Sequence, residues 1–76
     1  MSKSDFIDIF ANNLMRIMEK KHMSQRELAI KARINKGNIS KYLMKQRMPS
    51  LKAFMNICYA LACDPEDLFV PHDKIS

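Results

Sequence analysis

Apolar side chains near the N-terminus repeat every three or four positions. The repeat runs through Phe6, Ile7, Phe10, Leu14, Ile17 and Met18. This spacing predicts an amphipathic helix over about residues 5 to 21. Ser4 has the hydroxyl side chain expected of its N-cap, and Lys20 and Lys21 place positive charge at the end where the helix dipole favours it. The helix should stop near His22.

Two shorter helices are predicted from the next run of residues. Ser24 and Glu27 have the spacing of a capping box, in which each side chain bonds the backbone N–H of the other residue. A second helix is therefore expected over about residues 25 to 32. Its inward face is small and apolar: Leu28, Ala29 and Ala32. Asn35 is the next N-cap candidate, before a third helix that should reach about Met44.

The C-terminal third of the chain predicts two more helices. Pro49 disfavours helical geometry at the residue before it, and Ser50 is the expected N-cap of a fourth helix. The apolar positions of that helix have helical spacing: Leu51, Phe54, Ile57, Cys58 and Leu61. Asp64 then caps a last turn with Pro65 at its first position, where proline is favoured.

Length and composition limit the fold class. The chain has 76 residues, one glycine and three prolines, and its Leu, Ile, Met, Ala, Lys and Glu residues favour helices over strands. We therefore expect one all-α domain of five short helices over residues 1–76, with an ordered core from about 5 to 70 and a frayed tail at 71–76.

The compartment is predicted from what the sequence lacks. No apolar run is long enough to span a membrane, and the N-terminus has no signal-peptide core, so we expect a cytoplasmic protein with no membrane partner. Cys58 and Cys63 fit reduced thiols in the core better than a disulfide or a metal pair, because secreted proteins of this size normally carry more cysteines.

Positive charge is concentrated in the middle of the chain. The net charge is +5, and residues 20–52 contain ten of the thirteen Lys and Arg residues with a single acid, Glu27. The two ends are mildly acidic, and no Asp or Glu lies between Glu27 and Asp64. A solvated basic face is one explanation. A surface for nucleic acid is the other, and it better explains so uneven a distribution.

The third helix separates an apolar side from a polar side when its residues are placed 100° apart around the axis. Ile39, Tyr42 and Leu43 mark the inward side. Small side chains on the outward side allow close approach to a DNA major groove, and lysine and serine bond base edges or phosphates there. The residues expected to read bases are Lys36 at the helix start, Gly37, Ser40 and Lys41.

Contacts with the DNA backbone are expected on both sides of this outward strip. Gln25 lies in the first turn of the second helix, where its amide and free backbone N–H groups are suited to a phosphate. Lys45 and Arg47 lie in the loop beyond the third helix, where they can bind the backbone further along. Asn35 is better explained as a cap than as a base reader.

The stretch SQRELAIKARINKGNISKYL resembles the helix-turn-helix of the lambda repressor and Cro family, and MPSLKAFMNICYALACDPEDLF resembles the continuation of that family's domain. The likeness covers about residues 6 to 70. It implies a compact five-helix lambda repressor-like domain, with the helix-turn-helix at helices 2 and 3, that binds double-stranded operator DNA as a two-fold homodimer. Base contacts are implied for Lys36, Gly37, Ser40, Lys41 and Met44. Phosphate contacts are implied for Gln25, Asn35, Asn38, Lys45 and Arg47.

The sequence departs from the family's pattern at three positions. The family usually has glycine at the end of helix 1 and in the turn of the helix-turn-helix, where this chain has His22 and Arg33. If those turns stay left-handed, each substitution costs roughly 1 kcal/mol. Gly37 stands where relatives often have a larger base-reading side chain, so close approach to DNA would replace a hydrogen bond there.

The expected function is sequence-specific repression of transcription, of phage, prophage or restriction-controller type, at an inverted-repeat operator, with the protein associated with the nucleoid when bound. A chain this short must dimerise through the same domain, and the candidates are the outer face of helix 4 with Leu68, Phe69 and Val70. Alternatives are the N-terminal half of a longer repressor and an antitoxin-like module whose protein partner is a toxin. A non-specific or RNA-binding basic domain is the third alternative.

Catalysis has little support in the sequence. His22 and His72 lie far apart, without a nearby cysteine or paired carboxylates at ligand spacing, and there is no glycine-rich phosphate loop. Capping explains the acids at 64–67. We therefore expect neither an enzyme nor a bound metal or cofactor.

Overall fold

Five α-helices form the protein in the computed structural model, which describes the backbone of residues 3–71 and the side chains from Phe6 onward. Their bounds are α1 (Lys3–Lys20), α2 (Gln25–Ala32), α3 (Lys36–Leu43), α4 (Leu51–Leu61) and α5 (Pro65–Phe69). The predicted fold class is confirmed. Most of the predicted tail, and His72 with it, lies outside the described residues.

The helix starts follow the predicted caps in four of the helices, including α5, which starts at Pro65 directly after its N-cap Asp64. Ser24 Oγ accepts the backbone N–H of Glu27 and Glu27 Oε1 accepts the N–H of Ser24, both at 3.1 Å. These hydrogen bonds lower the pKa of Glu27. Asn35 caps α3 and Ser50 caps α4. The prediction for Ser4 is wrong, because α1 already includes Lys3 and Ser4 lies inside the helix.

The ends of α1 to α4 share one turn geometry. After α1, His22 has a φ of 54° and donates its N–H to Glu19 O, while Met23 donates to Met18 O at 2.9 Å. This pair of bonds defines the Schellman motif, whose left-handed residue is usually glycine. The left-handed residues of the other three turns are Arg33, Lys45 and Ala62. The left-handed geometry considered for His22 and Arg33 is therefore present, and two further turns share it.

All five helices contribute side chains to one hydrophobic core. Phe10 of α1 packs edge-on against Tyr42 of α3, with 6.1 Å between ring centroids, and at a tilt against Phe54 of α4, with 5.9 Å between ring centroids. The fully buried side chains of the core include Phe10, Leu14, Leu28, Ile39, Ile57, Leu61 and Leu68. Leu51 lies outside the core although it shares the helical spacing of the buried residues of α4: its side chain is 77% exposed, and the first buried residue of this helix is Phe54.

Asn13 attaches the last helix to the first. Its side chain is buried, and its Nδ2 donates to the carbonyl oxygens of Leu68 at 3.1 Å and Val70 at 2.9 Å. Arg16 Nη2 in turn donates to Asn13 Oδ1 at 3.5 Å. The carbonyl groups at the end of α5 are thereby satisfied within the fold, as buried polar groups require.

Both cysteines are free thiols, as the sequence predicted, with Cys58 buried and Cys63 half-buried. Burial raises the pKa of Cys58 to about 11 and also raises that of Cys63, because removal from water disfavours the thiolate. Among residues 3–71, no helix has the length and apolar character needed to cross a membrane.

Candidate nucleic-acid interface

Helix α3 has the two faces that the sequence predicted. Ile39 and Tyr42 are buried against the core, while Leu43 is half-buried. The opposite face carries the exposed residues Lys36, Gly37, Lys41 and Met44. We call these four residues the α3 strip. Since α3 contains no acid and Met44 is 62% exposed at its end, the strip presents positive charge and small or flexible side chains outward.

Ser40 and Gln25 are joined across the helix-turn-helix. Ser40 Oγ donates a hydrogen bond of 2.6 Å to Gln25 Oε1, and both side chains are half-buried. This bond uses only the Oε1 atom of Gln25. The amide group Nε2 therefore keeps its N–H donors for an acceptor outside the chain. The sequence had assigned these residues to two different tasks, base reading and phosphate binding, whereas the structure brings them together at the edge of the α3 strip.

Asn35 caps α3 through its side chain. Its Oδ1 accepts the backbone N–H of Gly37 at 2.7 Å. A Cβ atom on Gly37 would lie only 2.9 Å from this oxygen, closer than ordinary van der Waals contact. The absence of a side chain at Gly37 thus leaves room for the cap as well as for close approach of DNA.

The predicted phosphate-binding cations lie at the C-terminal end of α3, each beside a polar partner. Lys45 Nζ lies 3.3 Å from Asp8 Oδ1 of α1. Arg47 Nη1 donates to Asn38 Oδ1 at 3.3 Å. Exposed pairs of this kind contribute about 0 to 1 kcal/mol, so both cations remain available to a phosphate. The contact between Asp8 and Lys45 was not predicted from the sequence, in which the two residues lie far apart.

The expected dimer residues divide into two groups. Leu68 is the residue of α5 that packs against the core, and its side chain is 0% exposed. The prediction that Leu68 contributes to a dimer interface is therefore wrong. Phe69 and Val70 are exposed, and Phe69 stacks on Phe54 at 4.6 Å between ring centroids. The exposed apolar residues on α4 and α5 are Leu51, Met55, Tyr59, Phe69 and Val70. We call this set the α4–α5 surface.

This combination of a five-helix domain and a basic, exposed second helix of a helix-turn-helix defines a class of DNA-binding proteins. The family model of the Cro/C1-type HTH DNA-binding domain matches residues 13–74. The chain belongs to this family, and its class is that of DNA-binding transcriptional regulators of the helix-turn-helix type.

Two solved structures are similar to the chain over most of its length. The restriction-modification controller protein C.AhdI from Aeromonas hydrophila has a TM-score of 0.79 and 26% sequence identity, covering 86% of this chain and 97% of that one. The clp gene regulator ClgR from C. glutamicum has a TM-score of 0.80 and covers 93% of this chain and 94% of that one. Its 19% identity supports the shared fold alone. Curated proteins give no significant match.

Proposed function

We propose that the protein is a sequence-specific regulator that binds an inverted-repeat operator in double-stranded DNA as a homodimer. The observation that carries this proposal is the α3 strip, which is exposed, basic and free of acids on the helix that family members use in the major groove. Two copies would place two α3 helices in successive major grooves, with half-sites about 34 Å apart.

The α3 strip supplies the base contacts in this proposal. Lys36 and Lys41 donate to guanine O6 or N7, the acceptors that lysine recognises in the major groove. Gly37 lets the helix backbone approach the bases closely, and Met44 offers an apolar contact. Ser40 acts at the edge of the strip by holding Gln25.

Phosphate contacts flank the strip. The Nε2 group of Gln25 and the N-terminal N–H groups of α2 bind one phosphate, because a helix N-terminus favours anions. Lys45, Arg47 and Asn38 bind the backbone beyond the C-terminal end of α3. Asn35 contributes to backbone binding indirectly, because it caps and so fixes the start of α3.

The α4–α5 surface is the proposed dimer interface. Leu51, Met55 and Tyr59 are four residues apart on α4 and therefore form one row, and the stacking of Phe69 on Phe54 brings α5 beside it. A two-fold pair with antiparallel α4 helices buries the two rows against each other. In this pair, Lys52 near the start of one α4 lies close to Asp64, just beyond the end of the partner's α4. Opposite charges therefore face each other across the interface.

Repression of phage or prophage type, by occlusion of a promoter, is the regulatory outcome we propose. Control of a restriction-modification system is the second candidate, because the similarity to C.AhdI spans nearly all of that protein's chain. A toxin, or the C-terminal domain of a longer chain, would be the protein partner if the α4–α5 surface binds another protein instead of a second copy.

The deciding experiment is selection of bound duplexes from a random pool at physiological salt, with the stoichiometry of the selected complex measured by sedimentation. We expect an inverted repeat bound by two chains. An unenriched pool would contradict sequence-specific binding, and one chain on a half-site would contradict the dimer.

Two matched variants assign the contacts within that experiment. Lys41→Ala should weaken binding and relax the preference at one base pair, at a cost of about 1–3 kcal/mol. Arg47→Ala should weaken all duplexes alike and reduce the salt dependence. Unchanged preference in Lys41→Ala would remove this residue from the base contacts.

A further inference from the structure

A second charged site lies away from the α3 strip, in a cleft of about 190 Å³ between α1, the end of α4 and α5. Its walls carry three cations, Arg16, Lys20 and Lys21, and one acid, Asp67. A single water needs only about 10–15 Å³ of such space, so the cleft has room for a polyatomic ion. None of these four residues belongs to the proposed DNA contacts.

Arg16 has a hydrogen-bond donor without a partner in this cleft. Its Nε is buried and makes no hydrogen bond among the described residues, and its Nη2 reaches only Asn13 Oδ1, at 3.5 Å. Buried polar groups nearly always have a partner. The charged guanidinium of Arg16 therefore keeps hydrogen-bonding capacity that no described residue uses, and an anion in the cleft would use it.

Asp67 does not supply that acceptor. Its Oδ2 accepts the backbone N–H of Asp64 at 2.9 Å, at the start of α5. Within residues 3–71, the ion pair that the structure contains joins Lys45 to Asp8, so no cation of the cleft lies within 4.0 Å of the Asp67 carboxylate. The cleft therefore carries a surplus of positive charge.

We propose that this cleft binds a tetrahedral phosphate group. The guanidinium group of Arg16 donates to one phosphate oxygen, and the ammonium groups of Lys20 and Lys21 donate to the others. Three cations facing one acid suit a doubly charged anion, and a guanidinium fixes the geometry of a phosphate oxygen better than an ammonium does.

The α4 side of the cleft lies away from α3. Helix α4 starts at Leu51, directly after the loop that follows α3, and its 11 residues extend about 16 Å. The cleft lies at the far end of α4, beside Ala62 and Cys63. We assign its occupant as a free phosphate or a small phosphate monoester, and titration with a duplex distinguishes this occupant from a DNA phosphate.

Occupancy of the cleft affects the attachment of α5. Arg16 bonds Asn13, and Asn13 bonds the carbonyl oxygens of Leu68 and Val70 on either side of Phe69. A phosphate that orients the Arg16 guanidinium also fixes this chain of bonds. A ligand that binds only the folded state raises the unfolding temperature in proportion to ln(1 + [L]/Kd).

The test is a titration of the full chain with inorganic phosphate at constant ionic strength, observed at the Arg16 Nε–H resonance by NMR. We expect a saturable shift of this resonance with one site per chain and a rise in unfolding temperature. Arg16→Lys, which keeps the charge, and Lys20→Gln should each weaken binding by about tenfold or more. Lys31→Gln on α2 removes the same charge elsewhere and should leave binding unchanged.

Three further arms of the titration identify the ligand. Methyl phosphate that saturates the same shift more tightly than inorganic phosphate assigns the site to monoesters, and the reverse order assigns it to the free ion. A DNA duplex should leave the Arg16 resonance in place. The proposal is overturned if sodium chloride produces the same shift, if Arg16→Lys binds as tightly as the parent protein, or if a duplex displaces the phosphate.

Discussion

Ser40 on α3 donates a hydrogen bond of 2.6 Å to Oε1 of Gln25 on α2. This bond fixes the amide of Gln25 at the edge of the α3 strip. We therefore propose that Ser40 acts on the proposed phosphate contact of Gln25 and does not read a base by itself.

Removal of the Ser40 hydroxyl tests this relationship. Ser40→Ala should weaken binding to the selected operator and to mismatched duplexes by the same factor, about fivefold for a bond of about 1 kcal/mol. In a cycle with Gln25→Ala, measured by fluorescence anisotropy, the second change should add little to the first. Additive losses, or a loss confined to one base pair, would instead make Ser40 a direct base reader.

Asp8 limits the charge that Lys45 presents to DNA. Asp8→Asn leaves Lys45 Nζ without the carboxylate that lies 3.3 Å away, so duplex affinity should rise at low salt. The slope of log K against log salt should steepen by up to about 0.9, the value for one additional phosphate neutralised. The measurement is a salt series of binding isotherms.

Two control variants show whether that effect passes through Lys45. Asp8→Asn should have no effect in a Lys45→Ala background. Glu66→Gln removes an acid from α5 and should leave the salt slope unchanged. An equal gain from Glu66→Gln would mean that net charge, and not the Lys45 contact, governs the affinity.

Ala62 ends α4 in the left-handed conformation, with a φ of 52°. Ala62→Gly should raise the free energy of unfolding by about 1 kcal/mol, because glycine adopts positive φ without a Cβ clash. Ala60→Gly, within α4, should lower it by a similar amount, about 1 kcal/mol. Urea denaturation of the two variants measures both changes in the free energy of unfolding. A destabilised Ala62→Gly variant would contradict the claim that the backbone of Ala62 is strained.

Gly37 and Asn35 should be energetically coupled. Alanine at position 37 gains helix propensity, but its Cβ would lie 2.9 Å from the capping oxygen of Asn35. Gly37→Ala should therefore change stability little in the parent protein and raise it by up to about 1 kcal/mol in an Asn35→Ala background. Equal effects in the two backgrounds, measured by thermal unfolding, would show that the Cβ is accommodated without loss of the cap.

The helices could be predicted from the sequence because their signals are local. The period of apolar residues and the caps Ser24, Asn35 and Ser50 depend on residues within one turn of each other, and the observed bounds of α2, α3 and α4 follow them closely. Ser4 failed as a cap because helix propensity continues the helix through it.

The contacts that organise the site could not be predicted, because they join residues far apart in the sequence. Ser40 bonds Gln25 fifteen positions away, and Asn13 bonds Leu68 fifty-five positions away. Hydrophobic spacing identified Leu68 as apolar but not whether it faces the core or solvent, since that depends on how α5 packs on α1. The sequence predicts which residues share a helix face, but it does not predict which helix faces pack against each other.

The glycine-free helix ends have a consequence for the lifetime of the protein in the cell. Four left-handed residues with side chains at about 1 kcal/mol each lower a stability that is typically only about 5–15 kcal/mol. The unfolded fraction, which proteases degrade, rises accordingly. A regulator that is degraded quickly has a concentration that follows its rate of synthesis, so we expect these backbone torsions to shorten the time in which regulated genes respond.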